Sequence, residues 1–167
     1  MAHVSGVLLA AGAGKRFGRP KALAVEDGEP WLASGVRMLL DGGCDEVLVV
    51  LGARADEAAA LVPADPHVRV VVAADWEDGV SASLRAGLTA LEGTTDGPDG
   101  TTPGTAPDSM PDAALVSLVD LVGLPATAAA RVRTAAEASG PLASALARAT
   151  YRGLPGHPVL LGRDHWA

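Results

Sequence analysis

Apolar residues fall along this chain in two alternating patterns, short unbroken runs and longer stretches spaced at three and four. Val4 to Leu9 (VSGVLL), Glu46 to Leu51 (EVLVVL), Val68 to Val72 (VRVVV) and Ala113 to Val119 (AALVSLV) are of the first kind, as strands covered on both faces require. Pro30 to Leu40 carries Trp31, Leu32, Val36, Leu39 and Leu40 on one helical face and is stopped by Asp41-Gly42-Gly43. Ser81 to Leu91 repeats that spacing with Leu84, Leu88 and Leu91. Asp56 to Leu61 predicts a short alanine-rich helix, and Pro125 to Ala138 a helix with proline in its first turn. Leu146 to Tyr151 and Val159 to Leu161 read as two late strands. Strands alternating with helices predict an α/β fold with a mainly parallel sheet, whose ligands bind at the carboxyl ends of the strands. Leu9 enters a glycine-rich loop at one such end, and Asp120 terminates another.

The pattern breaks from Gly93 to Asp112 (GTTDGPDGTTPGTAPDSMPD), where nearly every residue is Gly, Pro, Thr or Asp. That composition predicts a flexible surface insertion in a single domain of 167 residues. Composition adds further constraints. With 49% hydrophobic but only 3% aromatic residues, the core must be built from Ala, Val and Leu. A net charge of −7 lacks the basic footprint of a nucleic-acid binder, while leaving room for a local anion site. The single cysteine, Cys44, removes an internal disulfide or a multi-thiolate zinc centre and reads as a buried structural residue. No apolar run approaches the ~18 residues of a membrane span, and the N-terminus lacks signal-peptide architecture, so a cytoplasmic protein without a membrane partner is expected.

The candidate chemistry lies in Leu9 to Leu23 (LAAGAGKRFGRPKAL). Gly12, Gly14 and Gly18 let backbone N–H groups approach a phosphate, and Lys15, Arg16, Arg19 and Lys21 neutralise its charge. The chain has 13 basic residues, and its two lysines, Lys15 and Lys21, both fall in this loop. A compact ammonium is therefore wanted here, where arginine serves everywhere else. A P-loop (G-x-x-x-x-G-K-S/T) fails because Arg16 follows Gly14-Lys15, and a dinucleotide fingerprint (G-x-G-x-x-G) fails at Phe17. The nucleotidyltransferase signature L-A-A-G-x-G-x-R-x-G-x-x-K runs without mismatch through Leu9, Ala10, Ala11, Gly12, Gly14, Arg16, Gly18 and Lys21.

Three further segments extend the likeness. Trp76 to Leu84 with Gly87-Leu88 resembles W-x-x-G-M-x-x-S-L-x-x-G-L, Val80 standing for the methionine. Leu118-Val119-Asp120 with Pro125 resembles a strand-end D-x-P segment with a longer spacer, and Tyr151 to Val159 resembles Y-x-G-x-x-G-H-P-V. On these motifs the sequence resembles the molybdenum cofactor cytidylyltransferase branch of the MobA-like nucleotidyltransferases. The resemblance implies a Rossmann-like three-layer fold and transfer of CMP from CTP to a phosphorylated small acceptor, the molybdenum cofactor, with release of pyrophosphate. It also implies that Leu9, Ala10, Ala11, Gly12, Gly14, Lys15 and Ser83 bind the nucleotide. Arg16 would face its β and γ phosphates and Lys21 the α-phosphate, as the catalytic cations. Asp120 would hold Mg²⁺ and His157 would lie on the acceptor side.

The five-residue step from Arg16 to Lys21 matches this branch, whereas the methylerythritol-phosphate and sugar-phosphate relatives insert more residues there. Ala11, where the guanylyltransferase branch has glycine, crowds a purine and favours cytosine. Each position has a plainer use. Asp120 could cap a helix or loop, Ser81 and Ser83 could cap the helix after Gly79, and His157 could be an orienting structural histidine. The resemblance also implies a G-D-x-G-A-R segment beyond Ala167, making the domain short at its C-terminus. Asp164 and Asp75 are the carboxylates that could replace its aspartate. A nucleotide-binding relative without catalysis, and a cytidylyltransferase for another acceptor such as methylerythritol phosphate, are the alternative functions.

Overall fold

A computed structural model describes residues 2–93 and 110–167. The expected insertion, 93–112, thus lies almost wholly outside the described residues.

Strand β1 (Val4–Ala10) is buried at every position and forms the middle of a six-stranded sheet. A glycine-rich loop, a tight hairpin of β2 (Val25–Glu26) and β3 (Glu29–Pro30), and helix α1 (Trp31–Asp41) lead to β4 (Glu46–Leu51). Helix α2 (Ala55–Ala59), β5 (Val68–Val72), α3 (Val80–Leu91) and β6 (Ala113–Leu118) follow. Helix α4 (Ala126–Ser139) and strands β7 (Leu146–Tyr151) and β8 (Leu154–Gly162) complete the domain. The strand order is β5-β4-β1-β6-β8-β7. β5, β4, β1 and β6 run parallel, whereas β8 is antiparallel to both its neighbours. The expected mainly parallel α/β sheet is therefore present, closed on one side by a hairpin.

Residues of one parity pack against α1, α2 and α4: Leu8 and Val49 meet Leu32, Leu39, Ala58 and Val132 in one core. The opposite parity packs against α3, where Val7, Leu9 and Val50 meet Leu88 and Leu91. These two cores make the three layers. Cys44 is buried in the first, and burial pushes its thiol up to about 12. A thiol so protonated and enclosed should not react with a disulfide reagent such as DTNB at pH 8 until the protein is unfolded. A stoichiometric reaction of the folded protein would contradict this placement.

Three elements differ from the sequence reading. β8 starts five residues before the expected Val159, because Leu154 and Pro155 pair with Tyr151 and Thr150 despite two prolines and a glycine in that stretch. Pro is tolerated where a strand lies beside an irregular edge pairing. Helix α2 is shorter, ending at Ala59, because a turn carries the chain from Ala60 toward Pro63. The β2–β3 hairpin was not predicted. Asp27 and Gly28 both take positive φ (52° and 81°) at its turn, the Asp-Gly preference of a two-residue hairpin loop.

Candidate active site

The chain runs from β1 outward to β4 and β5 on one side, then crosses back through α3 to β6 on the other. β1 and β6 thus flank the point where the strand order reverses, and a crevice opens beyond their carboxyl ends. A cavity of about 300 Å³ lies there, at the lower end of the range that holds small ligands. Leu9, Ala10 and Ala11 bound it from β1, Leu118, Val119 and Asp120 from β6, and Trp76, Gly79, Val80 and Ser83 from the start of α3. Gly12, Gly14, Lys21 and Ala22 close it from the loop.

The loop's path has local causes. Gly14 takes φ +64°, and its carbonyl accepts from the N–H groups of Phe17 and Gly18, turning the chain back on itself. A Cβ at Gly14 would lie 1.8 Å from the Arg19 carbonyl oxygen, so only glycine fits. Phe17 rests on Trp31 (ring centroids 5.5 Å apart), which ties the loop's outer end to the start of α1. After Pro20 the chain makes one 3-10 turn over Lys21–Leu23, with Ala22 buried in the core. Anchoring Ala22 sends the neighbouring Lys21 side chain over the crevice, where its Nζ donates to Asp120 Oδ2 at 2.7 Å.

Gly12 is different. No protein atom lies within 4 Å of where its Cβ would stand, and its φ is not positive. Nothing in the protein demands glycine there, and Gly12 is one of the residues that line the cavity.

The expected site residues separate into three groups. Leu9, Ala10, Ala11, Gly12, Gly14, Lys21, Ser83 and Asp120 surround the cavity. Lys15 and Arg16 are exposed on the outer part of the loop, outside its lining, and neither carries an ion pair to a described carboxylate. His157 sits half-buried on β8, one strand beyond β6. Burial, then the Arg148 guanidinium, hold its imidazole below the ordinary value, with Asp120 pulling the other way.

Ser83 is buried at the cavity, and the helix begins at Gly79 without a side-chain cap, so the serine-cap reading does not hold. Asp164 is also corrected. It follows Gly162, which pairs with Ala113 at the opposite end of β6, roughly 20 Å from Asp120 at ~3.3 Å per strand residue. It cannot share a ligand with Asp120. Asp75 stays at the correct end, exposed beside the Trp76 turn.

Sequence reasoning missed Gly52 and Trp76 as shapers of the site. A Cβ at Gly52 would fall 2.5 Å from the Trp76 ring and 2.6 Å from the Ala11 carbonyl oxygen. That carbonyl is held by the Ala53 N–H at 3.0 Å, so the end of β4 fixes the root of the loop. The signal was a glycine directly after a buried strand, a place where close backbone approach is common.

Among the described residues no group of three or more His, Cys, Asp or Glu converges as a ready metal site. Among the described residues that line the cavity, Asp120 alone offers a carboxylate. One carboxylate suits a hard cation that takes its other ligands from phosphate oxygens and water. No helix among the described residues is long and apolar enough to cross a membrane.

Comparison with known proteins accords with this geometry. Nicotine blue oxidoreductase of Paenarthrobacter nicotinovorans is 48% identical over 85 residues, which make up 50% of this chain but only 41% of that protein. A nucleotidyl transferase from Methanothermobacter thermautotroptrophicus superposes with a TM-score of 0.70 at 25% identity, over 98% of this chain and 73% of that one. Rv0371c of Mycobacterium tuberculosis H37Rv, solved in complex with manganese, shares the fold (TM-score 0.64, 21% identity, 99% of this chain and 73% of that one). The domain match over residues 6–167 decides the assignment: the chain belongs to the family of MobA-like NTP transferase domains.

Proposed function

We propose that this protein transfers CMP from CTP to a phosphorylated small acceptor, by resemblance the molybdenum cofactor, releasing pyrophosphate. The observation that carries the reading is the Lys21–Asp120 pair, 2.7 Å apart at the mouth of the β1/β6 crevice, with the open face of Gly12 beside it. An ammonium and a carboxylate held together there give a triphosphate one group for its charge and its cation another.

In this reading an oxygen of the acceptor phosphate attacks the α-phosphorus of CTP, and the bond to the pyrophosphate oxygen breaks. Two anions must meet, so the residues act by neutralising charge and holding the reactants in line. Backbone N–H groups around Gly12 and Gly14 bind the triphosphate, and Arg16, exposed and free of a carboxylate, swings onto its β and γ groups. Lys21 leaves Asp120 for the α-phosphate, where negative charge grows in the transition state. Asp120, freed of Lys21, would hold Mg²⁺ together with phosphate oxygens. A divalent cation supplies further charge neutralisation at the phosphates when bound. The manganese complex of Rv0371c supports a divalent cation in this fold. The methyl group of Ala11, in the cavity wall, favours cytosine over a purine.

Pyrophosphate release from CTP, GTP and ATP, each with Mg²⁺ and purified molybdenum cofactor, tests the proposal. Release with CTP well above the other two is expected, and release with none sinks it. Binding is read separately: CTP with Mg²⁺ at ~100 times its Kd should stabilise the fold by about 2.7 kcal/mol.

A second reading is favoured by the likeness to nicotine blue oxidoreductase. In that reading the crevice would serve a redox reaction, although the loop lacks the G-x-G-x-x-G fingerprint. Turnover of nicotine blue, with no stabilisation by CTP and Mg²⁺, would select it.

A further inference from the structure

The β7–β8 hairpin carries a feature that the loop motifs do not explain. Its ladder is regular from Leu146↔Leu161 to Arg148↔Val159 and resumes at Thr150↔Pro155 and Tyr151↔Leu154. Between these, Ala149 alone faces Gly156, His157 and Pro158, so the β8 backbone bulges out of the sheet. Bulges beside active sites re-aim a side chain, and here the bulged residue is His157.

The carbonyls left without ladder partners are taken by side chains of β7. Tyr151 Oη donates to the His157 carbonyl at 2.7 Å, and Arg148 Nη2 donates to the Gly156 carbonyl at 3.4 Å. The Tyr151 ring also lies flat enough on Gly156 that a Cβ there would come within 2.7 Å of two ring carbons. One tyrosine thus clamps two consecutive residues, the glycine by its ring and the histidine by its hydroxyl. Tyr151 is 45% exposed, so this arrangement does not serve core packing. Val116 pairs with Val159 in the antiparallel β6–β8 ladder, so His157, two residues before Val159, lies toward the carboxyl end of β6, the end that leads to Asp120.

We propose that Tyr151 is a positioning residue that, with Arg148, holds the bulged Gly156–His157 segment so that His157 presents its imidazole to the acceptor at the carboxyl end of β6. This rests on the transferase reading above and extends it to the acceptor side of the same site. The imidazole donates or accepts one hydrogen bond at an acceptor oxygen, and Tyr151 touches no reactant.

Tyr151→Phe keeps the ring over Gly156 and removes only the hydroxyl, so folding survives while the His157 carbonyl loses its partner. Its kcat/KM for the molybdenum cofactor should fall on the order of 10- to 100-fold, as small misplacements of a reacting group do, with CTP affinity unchanged. Against a His157→Gln background the same substitution should add almost nothing, because the hydroxyl acts through His157. Independent, multiplying losses in the double variant, or wild-type kcat/KM in Tyr151→Phe, would overturn the proposal. A crystal structure of Tyr151→Phe supplies an arm that needs no activity. Displacement of residues 156–158 with β6 unmoved supports positioning, and a His157 superposing on the wild type overturns it. A wild-type protein that releases no pyrophosphate at all refutes the transferase reading, and the crystal structure still decides the clamp.

Discussion

Replacing Lys21 by alanine should lower turnover about 10²- to 10³-fold, the usual effect of removing one preorganised charge from the point where transition-state charge develops. The same change should leave the melting temperature almost where it was. The Lys21 and Asp120 side chains are 41% and 34% exposed. An ion pair so solvated contributes roughly 0–1 kcal/mol, since water screens it and two long side chains lose freedom in forming it. The two magnitudes differ enough to separate a group kept for a ligand from one kept for the fold. Steady-state pyrophosphate release and a thermal melt on the same sample make the measurement. Unchanged turnover and CTP affinity would remove Lys21 from the site, and a large drop in melting temperature would make the pair structural.

The largest effect on stability is expected at the opposite end of the sheet. Glu46 begins β4 and is 8% exposed, and Arg69 on β5 is 7% exposed. Ser5, fully buried on β1, donates to Glu46 Oε1 at 2.6 Å. Arg69 Nε lies 3.4 Å from Glu46 Oε2, inside ion-pair reach though off hydrogen-bond geometry. Glu46→Ala would leave a guanidinium enclosed without its counter-charge and the Ser5 hydroxyl without its acceptor. Breaking a buried pair from one side costs about 3–5 kcal/mol. Against a total of about 5–15 kcal/mol, that brings the fold close to unfolding. The urea midpoint should drop steeply at an unchanged slope. Glu46→Leu combined with Arg69→Met should recover most of the loss, because an apolar pair of similar size needs no counter-charge. A loss below ~1 kcal/mol in Glu46→Ala would mean that Arg69 reaches water.

The resemblance already set Lys21 and Asp120 on one triphosphate, whereas the Glu46 network could not be seen in the linear chain. Ser5, Glu46 and Arg69 lie on three strands, and their meeting depends on register: Ser5 pairs with Glu46, and Leu48 with Arg69. The elements themselves were legible where one physical demand ruled. The strands β1, β4 and β6 are buried on both faces and so read as nearly continuous apolar runs, while β5, at the sheet edge, is only partly buried yet still rich in valine. Helices α1 and α3 bury one stripe each and so read at three-and-four spacing. β8 was read short because Pro155, Gly156 and Pro158 oppose strand propensity, and the strand resumes beyond them only through pairing of Leu154 and Pro155 with β7. The Asp27-Gly28 turn carried its signal openly, but two-residue flanking strands are too short to show alternation.

The sequence by itself determined the glycine loop and its family, because a phosphate-binding loop is a local object. Its turn at Gly14, its two lysines and its place after a buried strand all lie within a few residues. It also determined that the sheet would be mainly parallel, since burial on both faces is written in composition. Tertiary structure decided which distant groups share that loop. Asp120 stands 99 residues from Lys21 in the chain and 2.7 Å from it in space. That meeting follows from the crossover through α3 that lays β6 against β1, a non-local pairing with no local trace. It likewise brought Gly52 and Trp76 to the loop's root and turned Asp164 away to the far end of β6.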